Sequence, residues 1–279
     1  MDYRHFIITR FNLRINLPEL SKDKSGNEVL TADWLEHRLS LFMNYCFPSV
    51  INQSAGNFLW LIYFDESTPE SVKTQNSLLE DKYKGILKII YADGYDSFLK
   101  QYGSDILSMC PEGLSHVITT RLDNDDIIHA DFVKRIQDQF AGQDFTAVNF
   151  TKILMLSPTN NDKLYVDYIF SNHFISLIEK VTPEGIMGCY CRSDRQWIDV
   201  PAIQITDRPY CIELISEKNI SNDFRGFPVL RLTDLSDFQI NKKIRNKVMS
   251  VNNLKIWKMS WAKYLIYLSN YKIGSKGSH

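Results

Sequence analysis

No apolar stretch in this 279-residue chain is longer than the seven residues Phe58-Leu-Trp-Leu-Ile-Tyr-Phe64. A membrane-spanning helix needs roughly 20, so none is expected. The N-terminus lacks a basic region followed by a long apolar core, so it does not read as a secretory signal. Cysteine is sparse and scattered, at Cys46, Cys110, Cys189, Cys191 and Cys211. An odd set with a single Cys-x-Cys pair fits neither a disulfide framework nor a structural zinc site. Reduced thiols in a cytoplasmic protein are the expectation. Internal repeats and low-complexity runs are also missing from the body of the chain.

Acidic residues are absent from one region. Of the 32 Lys and Arg, nine lie in residues 241–279, which hold no Asp or Glu. The first 240 residues carry the other 23 against 33 acidic ones, a balance of −10 beneath a net charge of −1. Nucleic acid is not an expected partner of so acidic a body. In the basic segment Ile240, Ile244, Val248, Val251, Leu254, Trp257, Trp261, Leu265 and Leu268 recur at helical spacing. This predicts basic amphipathic helices over 236–273 that hold the protein peripherally on an anionic membrane surface. The alternative is a stripe that packs on the body or forms a homodimer. Residues 274–279 read as an expression remnant.

What is present is an ordinary composition, 44% hydrophobic and 23% charged, which suits one large domain with a substantial core. The 16 Phe, 14 Tyr and 5 Trp either fill that core or line a concave site. Strand-like runs at 5–9, 57–64, 87–91 and 115–120 alternate with helical patterns at 31–47 and 70–83, and a helix follows at 130–140. Thr31 is the expected N-cap of the first helix. The alternation predicts an α/β fold with a mainly parallel sheet flanked by helices. Strand-rich pieces near 145–155, 163–170, 173–180 and 208–215 predict antiparallel additions that complete a cleft. The expected division is one domain over 1–235, with a first half at 1–126 and a second half at 127–235.

The sharpest feature is Thr119-Thr120-Arg121-Leu122-Asp123-Asn124-Asp125-Asp126, directly after an apolar strand. Ligands of open α/β sheets bind at the carboxyl ends of strands. Carboxylates packed this closely repel unless a cation neutralises them, and Mg2+ or Mn2+ prefers such oxygen ligands. In an extended segment Asp123 and Asp125 point to one side. An EF-hand loop is excluded because Ile127 and Ile128 stand where further oxygen ligands and a glycine belong. An aspartyl-phosphatase nucleophile is excluded because it follows the first strand. The plain structural alternative is Asp126 as a helix N-cap.

The Asp-x-Asp-Asp pattern resembles nucleotide-sugar glycosyltransferases of the GT-A fold, and the longer string is similar to the bacterial rhamnosyl transferase family. The matching pieces are His5-Phe-Ile-Ile-Thr-Arg10-Phe-Asn12, Trp34 and Arg38, Cys46-Phe-Pro-Ser-Val50 with Gln53, and Trp60-Leu-Ile-Tyr-Phe-Asp65. Ile118-Thr-Thr-Arg-Leu-Asp-Asn-Asp-Asp126, Val148-Asn-Phe150, Phe174-Ile-Ser-Leu-Ile-Glu179 and Asn219-Ile-Ser-Asn222 continue the series. Where the family often has a late His, this chain has Ile215-Ser-Glu-Lys-Asn219.

The resemblance implies a Rossmann-type mixed sheet over 1–235, with a nucleotide-sugar half at 1–126 and an acceptor half at 127–235, and transfer of a sugar, such as rhamnose, from a nucleotide diphosphate donor. The acceptor would be a surface polysaccharide or a lipid-linked saccharide. A divalent cation, Mn2+ or Mg2+, would assist. Asp123 would face the ribose and the metal, and Asp125 would bind the metal. Asp126 would orient the loop or the sugar, and Arg121 would meet the diphosphate or brace the carboxylates. Thr9, Arg10 and Phe11 would form the nucleotide loop, with Phe11 as plain core the alternative. Asp65 would take a hydrogen bond from base or ribose, or cap the turn after it. Glu179 would be the base for the acceptor hydroxyl, ahead of Glu184, Asp194 and Glu213. His173 reads as a structural hydrogen-bonding group. Two rivals remain: a transferase for a different sugar or pentose, and a catalytically inactive saccharide-binding or assembly protein on the same fold.

Overall fold

The structure, a computed structural model, describes residues 2–240 apart from 16, 18–21, 24, 25, 27, 158–163, 216–224 and 230–234. Strand β1 (Tyr3–Arg10) opens the fold. Helix α1 (Ala32–Leu41) starts where expected, with the Thr31 hydroxyl accepting from Trp34 N at 3.2 Å. The chain does not stop at Pro48. It passes through a wide helical turn over Phe42–Cys46 into α2 (Phe47–Ile51). Proline is tolerated there because a first helical turn does not use its missing N–H.

Strand β2 (Phe58–Asp65), helix α3 (Glu70–Lys82), strand β3 (Leu87–Ala92) and helix α4 (Gly94–Ser108) follow. The sequence reading had no helix at α4, although Phe98, Tyr102 and Ile106 recur every four residues and are buried. Next come β4 (His116–Arg121), the short β5 (Ile127–Ile128) and α5 (Phe132–Gln137). The remaining strands are β6 (Phe145–Phe150), β7 (Lys152–Leu156), β8 (Leu164–Tyr168), β9 (Ser176–Lys180), β10 (Ala202–Ile205), β11 (Cys211–Leu214) and β12 (Phe227–Pro228).

Seven strands form the main sheet in the order β10-β6-β9-β4-β1-β2-β3, and β9 alone runs against the other six. A second sheet has the order β12-β8-β7-β11-β5. It is mixed rather than purely antiparallel, since β7 and β11 pair in parallel. Along each main-sheet strand, alternate side chains face opposite layers. Ile7, Trp60, Ile62 and Ile118 pack against Trp34, Phe42, Phe47 and Phe132 on one face. Phe6, Ile8, Tyr63 and Val117 pack against Phe98, Tyr102, Tyr190 and Trp197 on the other. With both faces covered, strands read as continuous apolar runs, which is why β2 was plain in the sequence.

From β1 the chain steps outward through β2 to β3, then returns so that β4 lies on the other side of β1. That reversal opens a crevice at the carboxyl ends of β1 and β4. No described helix is long and apolar enough to cross a membrane. Of the amphipathic stripe, only Ile240 is described, and it is buried with Leu235 and Phe238 beside the second sheet. The rest of the segment expected to be helical, from 241 on, lies outside the described residues.

Candidate functional site

The loop after β4 occupies this crevice. Leu122 anchors it, buried in the core, with its N–H donated to Ile8 O at 3.1 Å. The chain then turns, and Asp126 N donates to Asp123 O at 3.3 Å. A turn brings residues three apart to one side, where an extended segment would pair those two apart. Asp123 and Asp126 therefore share a side with His173. One ligand atom from each of the three lies within 4.8 Å of the others. Asp125 points the other way. Its carboxylate receives Arg38 Nη1 at 2.6 Å and Nη2 at 2.8 Å, a bidentate clamp from α1. Arg38 also holds the Asn124 side chain, whose Nδ2 donates to Phe11 O at 2.9 Å.

The Asp126 carboxylate is almost fully buried. It meets His173 Nε2 at 2.8 Å and accepts the Leu214 N–H of β11 at 3.1 Å. Burial alone would lower the His173 pKa, but the hydrogen bond and charge of Asp126 raise it to about 9. Burial pushes Asp126 up as well, against the pull of His173. Both shifts favour a proton held within this pair, and the charges of Glu213 and Asp123 favour its place on the imidazole. Two carboxylates and one imidazole make an oxygen-rich donor set that suits Mn2+, and Mg2+ less well. A bound ion would displace the shared proton, because a ligating imidazole must be neutral.

On the other side of Asp123 the crevice is cationic. Arg10 ends β1, and its guanidinium lies 3.7 Å from Asp123. It also sits over the rings of Tyr95 at 5.2 Å and Tyr190 at 5.0 Å. Arg121 ends β4 and lies over the same Tyr190 ring at 4.8 Å. Tyr190 reaches that position on a fastened segment. Glu179 accepts Met187 N and Gly188 N at 2.8 Å each, and Thr119 Oγ1 accepts Cys189 N at 2.9 Å. Gly188 is required at its place: its φ is +69°, and a Cβ there would meet Tyr102.

Against known proteins, a family model described as "Putative rhamnosyl transferase" matches residues 7–226. The chain belongs to this family. No curated protein matches its sequence. Among solved structures, TarS of S. aureus is similar at 10% identity with a TM-score of 0.41, over 77% of this chain and 37% of TarS. The chain thus spans well under half of TarS. Mouse xyloside xylosyltransferase 1 is similar at 10% identity with a TM-score of 0.31, over 64% of this chain and 67% of that one. At such scores neither likeness bears on substrate or mechanism.

The site of this rhamnosyl transferase family member differs in membership from the expected one. Arg10, Arg121, Asp123 and Asp126 come together. Asp125 does not join the cluster, because the turn delivers it to Arg38. Thr9 is buried and its hydroxyl accepts the Trp60 indole N–H at 2.9 Å. Phe11 stacks on Phe64 at 4.4 Å inside the core. Asp65 is 1% exposed and is engaged by Arg14 and Ser67, so it fixes the loop after β1. Glu179 is buried at the far end of β9, paired with Val117 and Phe145, away from the cluster. Its pKa is pushed up by burial, against its two backbone donors.

Arg38 and Tyr190 were not predicted as contributors. Arg38 had a signal in the family resemblance; Tyr190 had none, since its partners are distant in sequence. His173 was expected only as a hydrogen-bonding group, and Glu213 only as a lesser candidate for the base. Glu213 of β11 is 1% exposed, with Oε2 held by Arg225 at 3.0 Å. It feels the charges of His173 and Asp123, and burial raises its pKa.

Proposed function

We propose that the protein transfers a hexose, rhamnose or a close analogue, from a nucleoside diphosphate sugar to a hydroxyl of a saccharide or lipid-linked acceptor. Such a product belongs to surface polysaccharide or glycolipid synthesis on the cytoplasmic side of a membrane. The observation that carries this reading is the convergence of Asp123, Asp126 and His173 with Arg10 and Arg121 at the carboxyl ends of β1 and β4. Asp123, Asp126 and His173 would hold a divalent ion, Mn2+ before Mg2+, which supplies charge to neutralise the departing diphosphate.

The chain's own residues do the rest of the positioning. Arg38 fixes the loop through Asp125, so that Asp123 and Asp126 keep their places. Leu214 N–H and His173 orient Asp126. Arg10 and Arg121 add positive charge where the diphosphate would lie. We assign the acceptor proton to Glu213, which stands beside the cluster, and no longer to Glu179 at the opposite end of the sheet.

The test is a panel of nucleotide sugars with and without Mn2+, following released nucleotide. Metal-stimulated release with one sugar class is expected. One observation favours a catalytically silent saccharide-binding protein instead: Asp125, the usual metal-binding position of the pattern, is locked by Arg38. Nucleotide-induced thermal stabilisation without release from any donor, in the presence of candidate acceptors, would favour that second reading.

A further inference from the structure

Arg10 and Arg121 end adjacent parallel strands, and both side chains leave on the face covered by α4. Their guanidinium carbons lie 5.0 and 4.8 Å from one Tyr190 ring, so two cations are held close together and repel. Such proximity is unfavourable unless an anion shares the space. The carboxylate beside Arg10 is Asp123, and it is also a member of the cluster with Asp126 and His173.

A cavity of about 260 Å³ opens at this point, walled by Tyr95, Arg121, Tyr190, Arg192, Ser193 and Gln196. Arg121 is 7% exposed, so its charge is built into the wall. Arg192 adds a further cation, and no carboxylate is paired with it among the described residues. Hydroxyl and amide groups of Tyr95, Ser193 and Gln196 complete a polar lining. A second cavity, of about 560 Å³ between α4 and residues 184–191, shares Tyr190 and Cys191 with the first.

We propose that this cavity binds phosphate directly through Arg121 and Arg192, so that the diphosphate of a ligand is held here without a divalent ion, and the ion serves the transfer step alone. The proposal rests on the glycosyltransferase reading for its biological ligand, the donor. Its chemistry is independent of that reading: guanidinium groups match phosphate oxygens in a planar fork and keep their charge at any working pH. Arg10 links cavity and cluster: it lies over the Tyr190 ring of the cavity wall and 3.7 Å from Asp123. The phosphate could come from the donor or from a lipid-diphosphate acceptor, and the ligands tested separate these sources.

The experiment is calorimetric titration of the full chain stripped with EDTA, using inorganic pyrophosphate, nucleoside diphosphates and a prenyl diphosphate in micelles. Nucleoside diphosphate is expected to bind the metal-free protein. Arg192→Ala should weaken that binding by about 10–100-fold, and Arg192→Lys should recover part of it. Thermal melts confirm that the variants are folded. Binding by the parent only with Mn2+, or equal metal-free binding by Arg192→Ala, overturns the proposal. Binding of the prenyl ligand alone, lost in Arg192→Ala, keeps the phosphate site but overturns the donor as its source. If pyrophosphate binding is lost in Arg192→Ala while no nucleoside diphosphate binds under any condition, the glycosyltransferase reading falls and the anion site stands.

Discussion

Strand β9 runs against its neighbours, so its two ends lie in different chemical regions of the same sheet. His173, just before it, meets Asp126 at the crevice, whereas Glu179, near its end, lies opposite Val117 at the other edge. From Ser176 to Glu179 the strand rises about 10 Å. Both Asp126 and Glu179 are buried carboxylates whose pKa values burial raises. They differ in partners. Asp126 has an imidazole and a second carboxylate within ligand distance, while Glu179 is satisfied by two backbone N–H groups. Residue type and burial are alike in the two carboxylates, and strand direction decides which of them sits at the crevice.

The sharpest way to test that comparison is to remove one carboxylate from each end. Asp126→Ala should lower transfer by at least about 10³-fold, the scale of losing one preorganised charge contact at a reacting diphosphate. The Mn2+-dependent thermal shift should vanish with it, while the protein stays folded. Turnover within tenfold of the parent would take the cluster out of the chemistry.

A smaller effect separates Asp126 from its neighbour Asp125. Arg38→Leu leaves the Asp125 carboxylate buried without its bidentate partner, which should cost about 3 kcal/mol of stability. Asp125→Asn keeps a polar group facing Arg38 and should be milder, with Mn2+ binding retained. Loss of Mn2+ binding in Asp125→Asn, with an unchanged melting temperature, would return Asp125 to the metal.

These pairs mark where the sequence was readable. Strands β1 to β4 were clear because both faces of the main sheet are covered, and the α1 N-cap was clear because Thr31 and Trp34 are local. The acidic loop stood out because three carboxylates follow an apolar strand. Its internal geometry was not. Whether residues 123–126 run extended or turn depends on Arg38 and His173, which are far away in sequence, and that choice exchanges Asp125 for Asp126. The place of Glu179 in the sheet was hidden for a related reason: nothing local to 173–180 says that β9 runs against β4. Helix α4 was hidden because Asp93 and Gly94 read as a turn, although Gly94 is the first helical residue.

At the far end of β9, Glu179→Gln should behave unlike Asp126→Ala. The amide can accept one of the two N–H groups but turns a donor toward the other, which should cost about 2 kcal/mol. The loosened segment carries Tyr190, so donor affinity should fall while turnover at saturating donor stays within a few-fold. A drop in saturated turnover of about 10²-fold or more, with donor affinity intact, would restore Glu179 as the base.

The mildest prediction contrasts a partly buried histidine with a fully buried one. His173 has a carboxylate partner and its pKa rises, whereas His5 has none. His5 Nε2 lies 2.8 Å from the Thr120 hydroxyl, which in turn lies 2.7 Å from Ser176, and burial lowers the His5 pKa to about 3. Unfolding returns His5 to an ordinary value near 6.5. Between pH 6.5 and 3 the unfolded chain therefore holds a proton on this group that the folded chain does not. Stability contributed by neutral His5 is present above pH 6.5 and is lost as pH falls through that window, with a slope of about 1.4 kcal/mol per pH unit from this one group. His5→Gln keeps a polar side chain but cannot take the proton. Its unfolding free energy, from urea titrations at pH 7, 6, 5 and 4, should fall less steeply with acid than that of the parent. Parallel curves would mean that His5 is already protonated in the fold, and that a buried histidine here does not need a carboxylate to carry its charge.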